Sequence, residues 1–403
     1  MNRVAVTGLG IVCALGNSVA EVWERLVRAE SGIAPLREPG NPAYRFTKGA
    51  IAWGYNPADH FSDKELGMLE RFAQFAAVAG RQAVAQSGLT FTGELADKTA
   101  VITGSSVGGQ FSEEEGYKQL YRHNNPRVGP LTIPRTMSNA GASRISLEFG
   151  TKGPAYTIST ACSSSNHAIG QAFWHIRQGT VTAAIAGGSE AVFAEGLLRA
   201  WEAMRVVSPD TCRPFSKDRR GLILGEGGAM LVLENWEHAK ARGAEILGEV
   251  VGFGMSSDAH HITQPDMGGP SNAMRWALAD AAITPESVQY INAHGTGTMA
   301  NDCTETASIR SVFGAHADKL LVSSTKSMHG HTLGAAGAVE AVITVMALKQ
   351  QIAPPTANYN EPDPACNLDV VPNECRPASM ETAVSNSFAF GGLNAALVLR
   401  ASR

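Results

Sequence analysis

The sequence predicts a layered α/β protein built from two similar halves, and three observations carry that expectation. Short apolar, β-prone runs alternate with runs of helical period along most of the 403 residues, the order that stacks helices on sheets. The alternation restarts after Ile246. A small-residue, alanine-rich helix after His331 matches, in length and position, the one after Cys162, which places a division near residue 247 and gives halves of 1–247 and 248–403. Composition fits a compact chain: 44% hydrophobic, 17% charged, with 42 glycines. A formal charge of −4 argues against a general nucleic-acid binder, which needs a basic excess. The six cysteines (13, 162, 212, 303, 366 and 375) show neither a CxxC pair nor metal-ligand spacing, so a reducing, cytoplasmic setting is expected.

In order, residues 4–7 form a strand, and glycines 8, 10 and 16 turn the chain toward a helix opened by Ser18 and Glu21, with Val22 and Leu26 on its apolar face. Residues 33–60 are a surface excursion. Ser62 and Glu65 open a second helix that runs to Ser87. A strand at 100–104 leads into a long glycine- and proline-punctuated loop over 105–140. The cysteine strand and its helix, to about 178, follow. A strand at 181–186 is closed by Gly187 and Gly188, two short strands lie within 222–233, and a helix covers 237–242. In the second half, strands at 250–252, 288–293 and 320–325 alternate with helices at 271–281 and 334–349. An extended connection over 352–377 precedes closing strands at 382–386 and 395–399. Glycines interrupt the N-terminal apolar run, which therefore resembles a first core strand more than a secretory leader. The apolar segment 335–348 is short for a bilayer and contains Glu340, so no membrane span is expected.

Cys162 stands where a β-prone run meets a helix-prone one. A thiol there lies near unpaired backbone N–H groups and the positive end of a helix, which favours the nucleophilic thiolate. The small residues Ala161 and Ser163 to Ser165 leave room for a carbonyl to approach. Taken alone, Cys162 favours the reading of an inert buried thiol. Three later segments shift the balance: His294-Gly295-Thr296-Gly297-Thr298, Lys326-Ser327-Met328-His329-Gly330-His331, and Asn386-Ser387-Phe388-Ala389-Phe390-Gly391-Gly392. Each follows an expected strand, and parallel strands would bring their ends to one rim of the sheet. His294 alone fits a loop histidine, His331 a capping one, Lys326 a solvated lysine, and Gly391-Gly392 a plain turn or an oxyanion donor pair. His329 is taken as structural.

With Thr160-Ala161-Cys162 and Asn292-Ala293-His294, these motifs make the chain resemble, over essentially its full length, the elongating β-ketoacyl-acyl-carrier-protein synthases. Those are the Cys-His-His condensing enzymes of the thiolase superfamily. The resemblance implies a thiolase-like five-layered αβαβα sandwich of two pseudo-symmetric halves, working as a homodimer or as a heterodimer with a related ketosynthase-like subunit. It implies decarboxylative condensation of an acyl-enzyme with malonyl-acyl-carrier protein in fatty-acid or polyketide-type synthesis. No cofactor is implied, since phosphopantetheine arrives on the carrier. Cys162 is then the nucleophile, His294 and His331 stabilise the enolate, and Lys326 supports His331, with Asp302 and Glu305 nearby. Cys162 and Phe390 supply the oxyanion N–H groups. Thr296 and Thr298 border the pantetheine arm, while Phe390 and Gly391 form the gate. Asn292, Glu340, Ser385 and Asn386 match a structural monovalent-cation site in some relatives. Two other readings compete: a chain-length-factor-type partner subunit, which usually lacks the cysteine, and a thiolase, which needs a second catalytic cysteine.

Several positions depart from that pattern. Ala389 replaces the usual glycine before the gating phenylalanine, which would stiffen the loop. Val192, Leu197 and Trp201 fall on the acyl-pocket wall where residues are commonly smaller, and long saturated primers are expected to react poorly. Lys64, Arg127 and Arg205 match basic positions for docking an acidic carrier, whereas Gly67 and Met68 stand where further basic residues are common.

Overall fold

The computed structural model describes residues 1–36 and 44–402, so part of the expected surface excursion, 37–43, lies outside the described residues. Strands β1 (Val4–Cys13), β2 (Thr99–Gly104), β3 (Ala155–Ile158), β4 (Ala183–Glu190) and β5 (Gly227–Asn235) belong to the first half. Strands β6 (Gly248–Ser257), β7 (Tyr290–Asn292), β8 (Leu321–Ser323), β9 (Thr382–Ala389) and β10 (Leu393–Ala401) belong to the second. The spatial orders are β3-β2-β4-β5-β1 and β8-β7-β9-β10-β6. By position within each half, both are third, second, fourth, fifth, first. The pairing senses repeat as well: β2 is parallel to β3 and β4, as β7 is to β8 and β9, and the remaining neighbours are antiparallel. The halves join where Val4–Val6 of β1 pairs antiparallel with Gly248–Val250 of β6.

Helices complete five layers. Helix α1 (Arg71–Ser87) covers the outer face of the first sheet. Helices α2 (Ser164–Arg177) and α6 (Ala336–Gln350) lie between the sheets. Helices α4 (Gly268–Asp280) and α5 (Met299–Phe313) form the opposite outer layer, and α3 (Glu195–Met204) lies near the site. Small residues let the central pair approach. A Cβ on Gly337 of α6 would stand 2.5 Å from Asn166 Oδ1 of α2, and one on Gly170 would stand 2.4 Å from the Phe253 ring of strand β6 beside α2. The run Leu333–Gln350 is long and apolar enough to cross a membrane, contrary to its apparent shortness, but 83% of it is buried inside the protein. Its hydrophobicity is that of a helix enclosed between two sheets.

Two glycine pairs expected to turn the chain instead lie inside strands. β1 runs through Gly8 and Gly10, where Cβ atoms would stand 2.0 and 1.9 Å from the carbonyl oxygens of Ala83 and Ala79 on α1. Likewise β4 continues through Gly187 and Gly188 to Glu190. These glycines serve close packing rather than reversal. Ser62 and Glu65 do form a capping box, but on the four-residue helix Asp63–Leu66, and α1 begins separately after the Glu70 cap. Ser18 caps the helix Val19–Val27, while the Glu21 carboxylate accepts from the Asn17 N–H instead of closing a box on Ser18. The expected long loop 105–140 contains the helices Gln110–Tyr117 and Thr132–Thr136.

Candidate active site

The strand β3 ends two residues before Thr160, and the chain then turns through a short 3-10 segment, Ala161–Ser163, into α2. Ala161 takes φ +51°, a left-handed conformation costly for alanine, which turns Cys162 out of the strand direction. Ser163 and Ser164 fix the turn by donating to the Thr160 and Ala161 carbonyls at 2.8 and 2.6 Å. Cys162 is 7% exposed and opens into one cavity with His294, His331, Thr296, Thr298, Trp201, Phe390 and Gly391. The three reactive side chains, far apart in sequence, therefore share one space.

The parallel ends of β7 and β8 deliver the second-half residues to this rim. His294 follows β7, and Glu305 on α5 accepts the N–H groups of His294 and Gly295 at 2.8 and 2.7 Å. Asp302, one turn earlier, accepts from Phe215 and Gly297 at 2.8 and 3.2 Å. The ring centroids of His294 and His331 lie 5.4 Å apart at 82°. Lys326 is fully buried and ion-paired with Glu340. Burial first, and the Lys326 charge second, hold both imidazoles well below the ordinary histidine value, which favours the neutral rings. His329 accepts or donates at 2.9 Å with Thr325 Oγ1 outside the cavity lining, in keeping with its structural assignment.

The sulfur departs from the sequence expectation. Burial pushes the Cys162 thiol up to about 12, outweighing the Lys326 charge and the backbone N–H groups of Cys162 and Phe390 that act on it. Proximity to a helix start does not yield a thiolate here, because desolvation is the larger effect. Those two N–H groups are the pair that the resemblance assigns to an oxyanion, and both act on the sulfur. The alternative pair is already engaged: Gly391 N–H donates to Ile262 O at 2.7 Å and Gly392 N–H to Ala389 O at 3.0 Å. Ala389 ends β9 in extended conformation, so this state of the gate demands no left-handed backbone from it.

Around the sulfur, Val192 and Leu198 are buried, with Leu197, Trp201 and Ala389 packed against the same cluster. The Trp201 ring stacks on the gating Phe390 at 6.3 Å and 27°. Thr296 Oγ1 and Thr298 Oγ1 lie 2.9 Å apart, and Thr298 caps α5. Lys64, Arg127 and Arg205 are exposed and outside the cavity lining, on three separate segments. Arg205 lies one turn beyond Trp201, at φ +57°. Asn292 Oδ1, Glu340 Oε2, Ser385 Oγ and Asn386 Oδ1 are all buried without a hydrogen-bond partner among the described residues. Asn292 and Ser385 are register partners on β7 and β9, so this orphaned, all-oxygen set fits a hard cation.

Sequence reasoning missed Asp258, His261 and Gln264, which line the cavity mouth, and Glu190 behind the sulfur. Glu190 accepts from Ser105 Oγ, Ser106 N and Gly334 N at 2.9, 2.7 and 3.0 Å, fastening the loop after β2 to the start of α6. A lone glutamate closing the apolar run before Ala191 was the available signal.

Residues 1–239 match the family model for the β-ketoacyl synthase N-terminal domain, and residues 247–360 match that for its C-terminal domain. Nodulation protein E of Rhizobium sp. (strain N33) is 45% identical over 398 residues, covering 99% of both chains. The 3-oxoacyl-[acyl-carrier-protein] synthase 2 of Coxiella burnetii (strain RSA 493 / Nine Mile phase I) is 42% identical over 405 residues, covering 98% of each. The solved ishigamide ketosynthase/chain length factor superposes with a TM-score of 0.95 at 35% identity, covering 100% of both chains. With the five-layered sandwich and the shared cavity, these matches establish that the chain belongs to the β-ketoacyl synthase family of condensing enzymes.

Proposed function

We propose that this condensing enzyme joins an acyl group carried on Cys162 to malonyl-acyl-carrier protein, releasing carbon dioxide and a 3-oxoacyl carrier two carbons longer. The observation that carries the reading is the single cavity shared by Cys162 and two neutral imidazoles, with the Phe390 N–H directed at the sulfur. In the first step Cys162 Sγ attacks the primer thioester. Its proton passes to a neutral imidazole in the cavity, the Cys162 and Phe390 N–H groups hold the oxyanion, and the carrier thiol leaves with that proton. In the second step the malonyl thioester enters past Thr296 and Thr298. His294 and His331 donate hydrogen bonds to its carbonyl oxygen, so the electron pair freed as carbon dioxide departs is stored as an enolate. That enolate attacks the acyl carbon and expels the Cys162 sulfur as a thiolate, which takes a proton from solvent to restore the thiol. A donor is useful here only if uncharged rings keep their protons, which the depressed histidine values favour. Lys326 stays paired with Glu340, and its charge helps hold both rings below their ordinary value.

A monovalent cation would be held by Asn292, Glu340, Ser385 and Asn386, offsetting their orphaned oxygens and fixing β9 beneath the gate. Lys64, Arg127 and Arg205 would meet the acidic carrier. An apolar run exposed at Tyr117, Tyr121, Val128, Leu131 and Ile133 supports pairing with a second subunit, either a copy of this chain or a related one. Intact Cys162 favours the catalytic over the chain-length-factor reading. The test supplies an acyl-carrier primer with malonyl-carrier protein and follows acyl-Cys162 by mass spectrometry and carbon dioxide release. Formation of 3-oxoacyl carrier without a second polypeptide supports the reading. Absence of both the acyl-enzyme and carbon dioxide, with a panel of primers and with a second subunit supplied, overturns it.

A further inference from the structure

Where α5 packs on the short turn Pro364–Cys366, three reactive atoms meet outside the cavity lining: Cys303 Sγ, Cys366 Sγ and an Asp363 carboxylate oxygen, all within 4.8 Å of one another. That spacing alone would suit a soft metal ion. However, the buried Arg219 guanidinium is threaded among them, donating to Asp363 Oδ2 at 2.6 Å and to Cys303 Sγ at 3.1 Å. A divalent ion would face this fixed charge at short range. Two neighbouring thiols have a different outlet. We propose that Cys303 and Cys366 are a peroxide-reactive pair that oxidises to an intramolecular disulfide.

The two sulfurs are unequal. Cys303 is partly exposed on α5, whereas Cys366 is 2% exposed and burial pushes its thiol up to about 12. Cys303 is therefore the sulfur that meets the oxidant, with an Arg219 N–H already directed at it to receive negative charge. It attacks one oxygen of hydrogen peroxide. The O–O bond breaks, hydroxide leaves and takes the thiol proton as water, and a sulfenic acid remains. Cys366 Sγ then attacks Cys303 Sγ, the S–O bond breaks, and the Cys366 proton leaves with the hydroxyl as a second water. Two thiols and one peroxide thus give one disulfide and two waters, with both electrons passing to peroxide. The two sulfurs, within 4.8 Å of one another, must close to the bonding distance of about 2.05 Å.

The pair is also wired to the cavity rim. Arg219 donates to the Thr298 and Met299 carbonyls at 3.3 and 3.5 Å and lies 3.6 Å from Asp302, which holds the loop after His294. Oxidation alters the sulfur that Arg219 holds and so loosens the Thr298 turn, raising KM for the malonyl carrier more than it lowers kcat. This consequence, unlike the disulfide itself, rests on the condensing reading given above.

The test treats the full-length protein with a small excess of hydrogen peroxide, alkylates the remaining thiols, and maps tryptic peptides by tandem mass spectrometry. A peptide pair joining Cys303 to Cys366 is expected, lighter by two hydrogens than its parts and absent from Cys303→Ser. In Cys366→Ser, dimedone should label Cys303 instead. Cys375 shares the Cys366 tryptic peptide, and fragment ions distinguish the two. Full alkylation of both cysteines at a dose that oxidises Cys162, linkage through Cys375, or an equivalent of zinc retained by the purified protein and lost in Cys303→Ser would overturn the proposal. In the kinetic arm, a several-fold peroxide-induced rise in KM that Cys303→Ser abolishes supports the link to the rim. A disulfide that forms with KM unchanged removes that link. A disulfide in a protein without condensing activity leaves the pair standing and fails the function reading instead.

Discussion

The two halves have the same strand order and the same pairing senses, yet they are chemically unlike where it matters. Each sends a central helix from a tight turn containing a left-handed, non-glycine residue: Ala161 at φ +51° before α2, and Leu333 at φ +45° before α6. In the first half the residue after that bend is Cys162; in the second it is Gly334. A Cβ on Gly334 would stand 2.5 Å from Glu190 Oε2 and from Ser106 N, so its position is used for packing against the first half. At the equivalent second strands the roles reverse. β2 runs into Ser105 and Ser106, which donate to Glu190, whereas β7 runs into His294. One architecture, used twice, carries Cys162 in one copy and the two cavity imidazoles, His294 and His331, in the other.

That division of labour predicts separable defects. Cys162→Ala should lower condensation by roughly three orders of magnitude or more, while carbon dioxide release from malonyl carrier persists, because the second-half rings are untouched. His331→Ala should do the reverse, cutting carbon dioxide release about 100- to 1,000-fold while Cys162 still takes up an acyl group. Measuring both partial reactions in both variants checks the split; equal loss of both steps in either variant would mean the halves act as one inseparable unit.

Next in size is stability. Lys326→Met leaves Glu340 as a buried, uncompensated carboxylate and should cost about 3 kcal/mol by urea denaturation. Burial holds Glu340 up at about 7 even with the Lys326 charge lowering it, and the variant loses that charge, so its carboxyl titrates higher still: the penalty belongs to alkaline pH and should shrink as the pH falls toward 7 and below. Exchanging sodium and potassium for choline should lower the Tm of the unmodified protein by a few degrees, since the orphaned oxygens around Asn292 and Ser385 lose their counter-charge. Smaller again is the pH effect. With both imidazoles depressed well below the usual value, the carbon dioxide step should be flat between pH 8 and 6.5. Rings of ordinary value, half protonated near pH 6.5, would give about a twofold fall.

The catalytic residues were legible because each stands at a strand end in an unusual local motif, and alternation alone implied that strand ends share a rim. The outer helix α5 was not legible. Asp302, Glu305, Thr306 and Ser308 are buried on it, so polar groups serving the His294 loop interrupt any apolar stripe. The glycines of β1 and β4 were mistaken for turns because their cause, a helix pressed against the strand, is a tertiary contact. The same holds for Cys162. Its position at a helix start was evident, but its acidity is set by enclosure, which no local pattern reveals.

The smallest effect on stability is expected at Ala161, and set against Leu333 it tests the bend itself. Glycine relieves the left-handed conformation at either turn, by about 1 kcal/mol, and gives back about 0.4–1 kcal/mol through the freer unfolded chain. At Ala161 little else changes, since only a methyl group is lost, so Ala161→Gly should leave stability within about 1 kcal/mol of the parent and Cys162 still able to take up an acyl group. At Leu333 the same substitution also removes a side chain that is 3% exposed and packs in the cluster around Cys162. Leu333→Gly should therefore cost about 2–4 kcal/mol. Urea titrations of the two variants side by side read the difference. Comparable losses at both sites would show that the bend, rather than what each half hangs on it, carries the stability there.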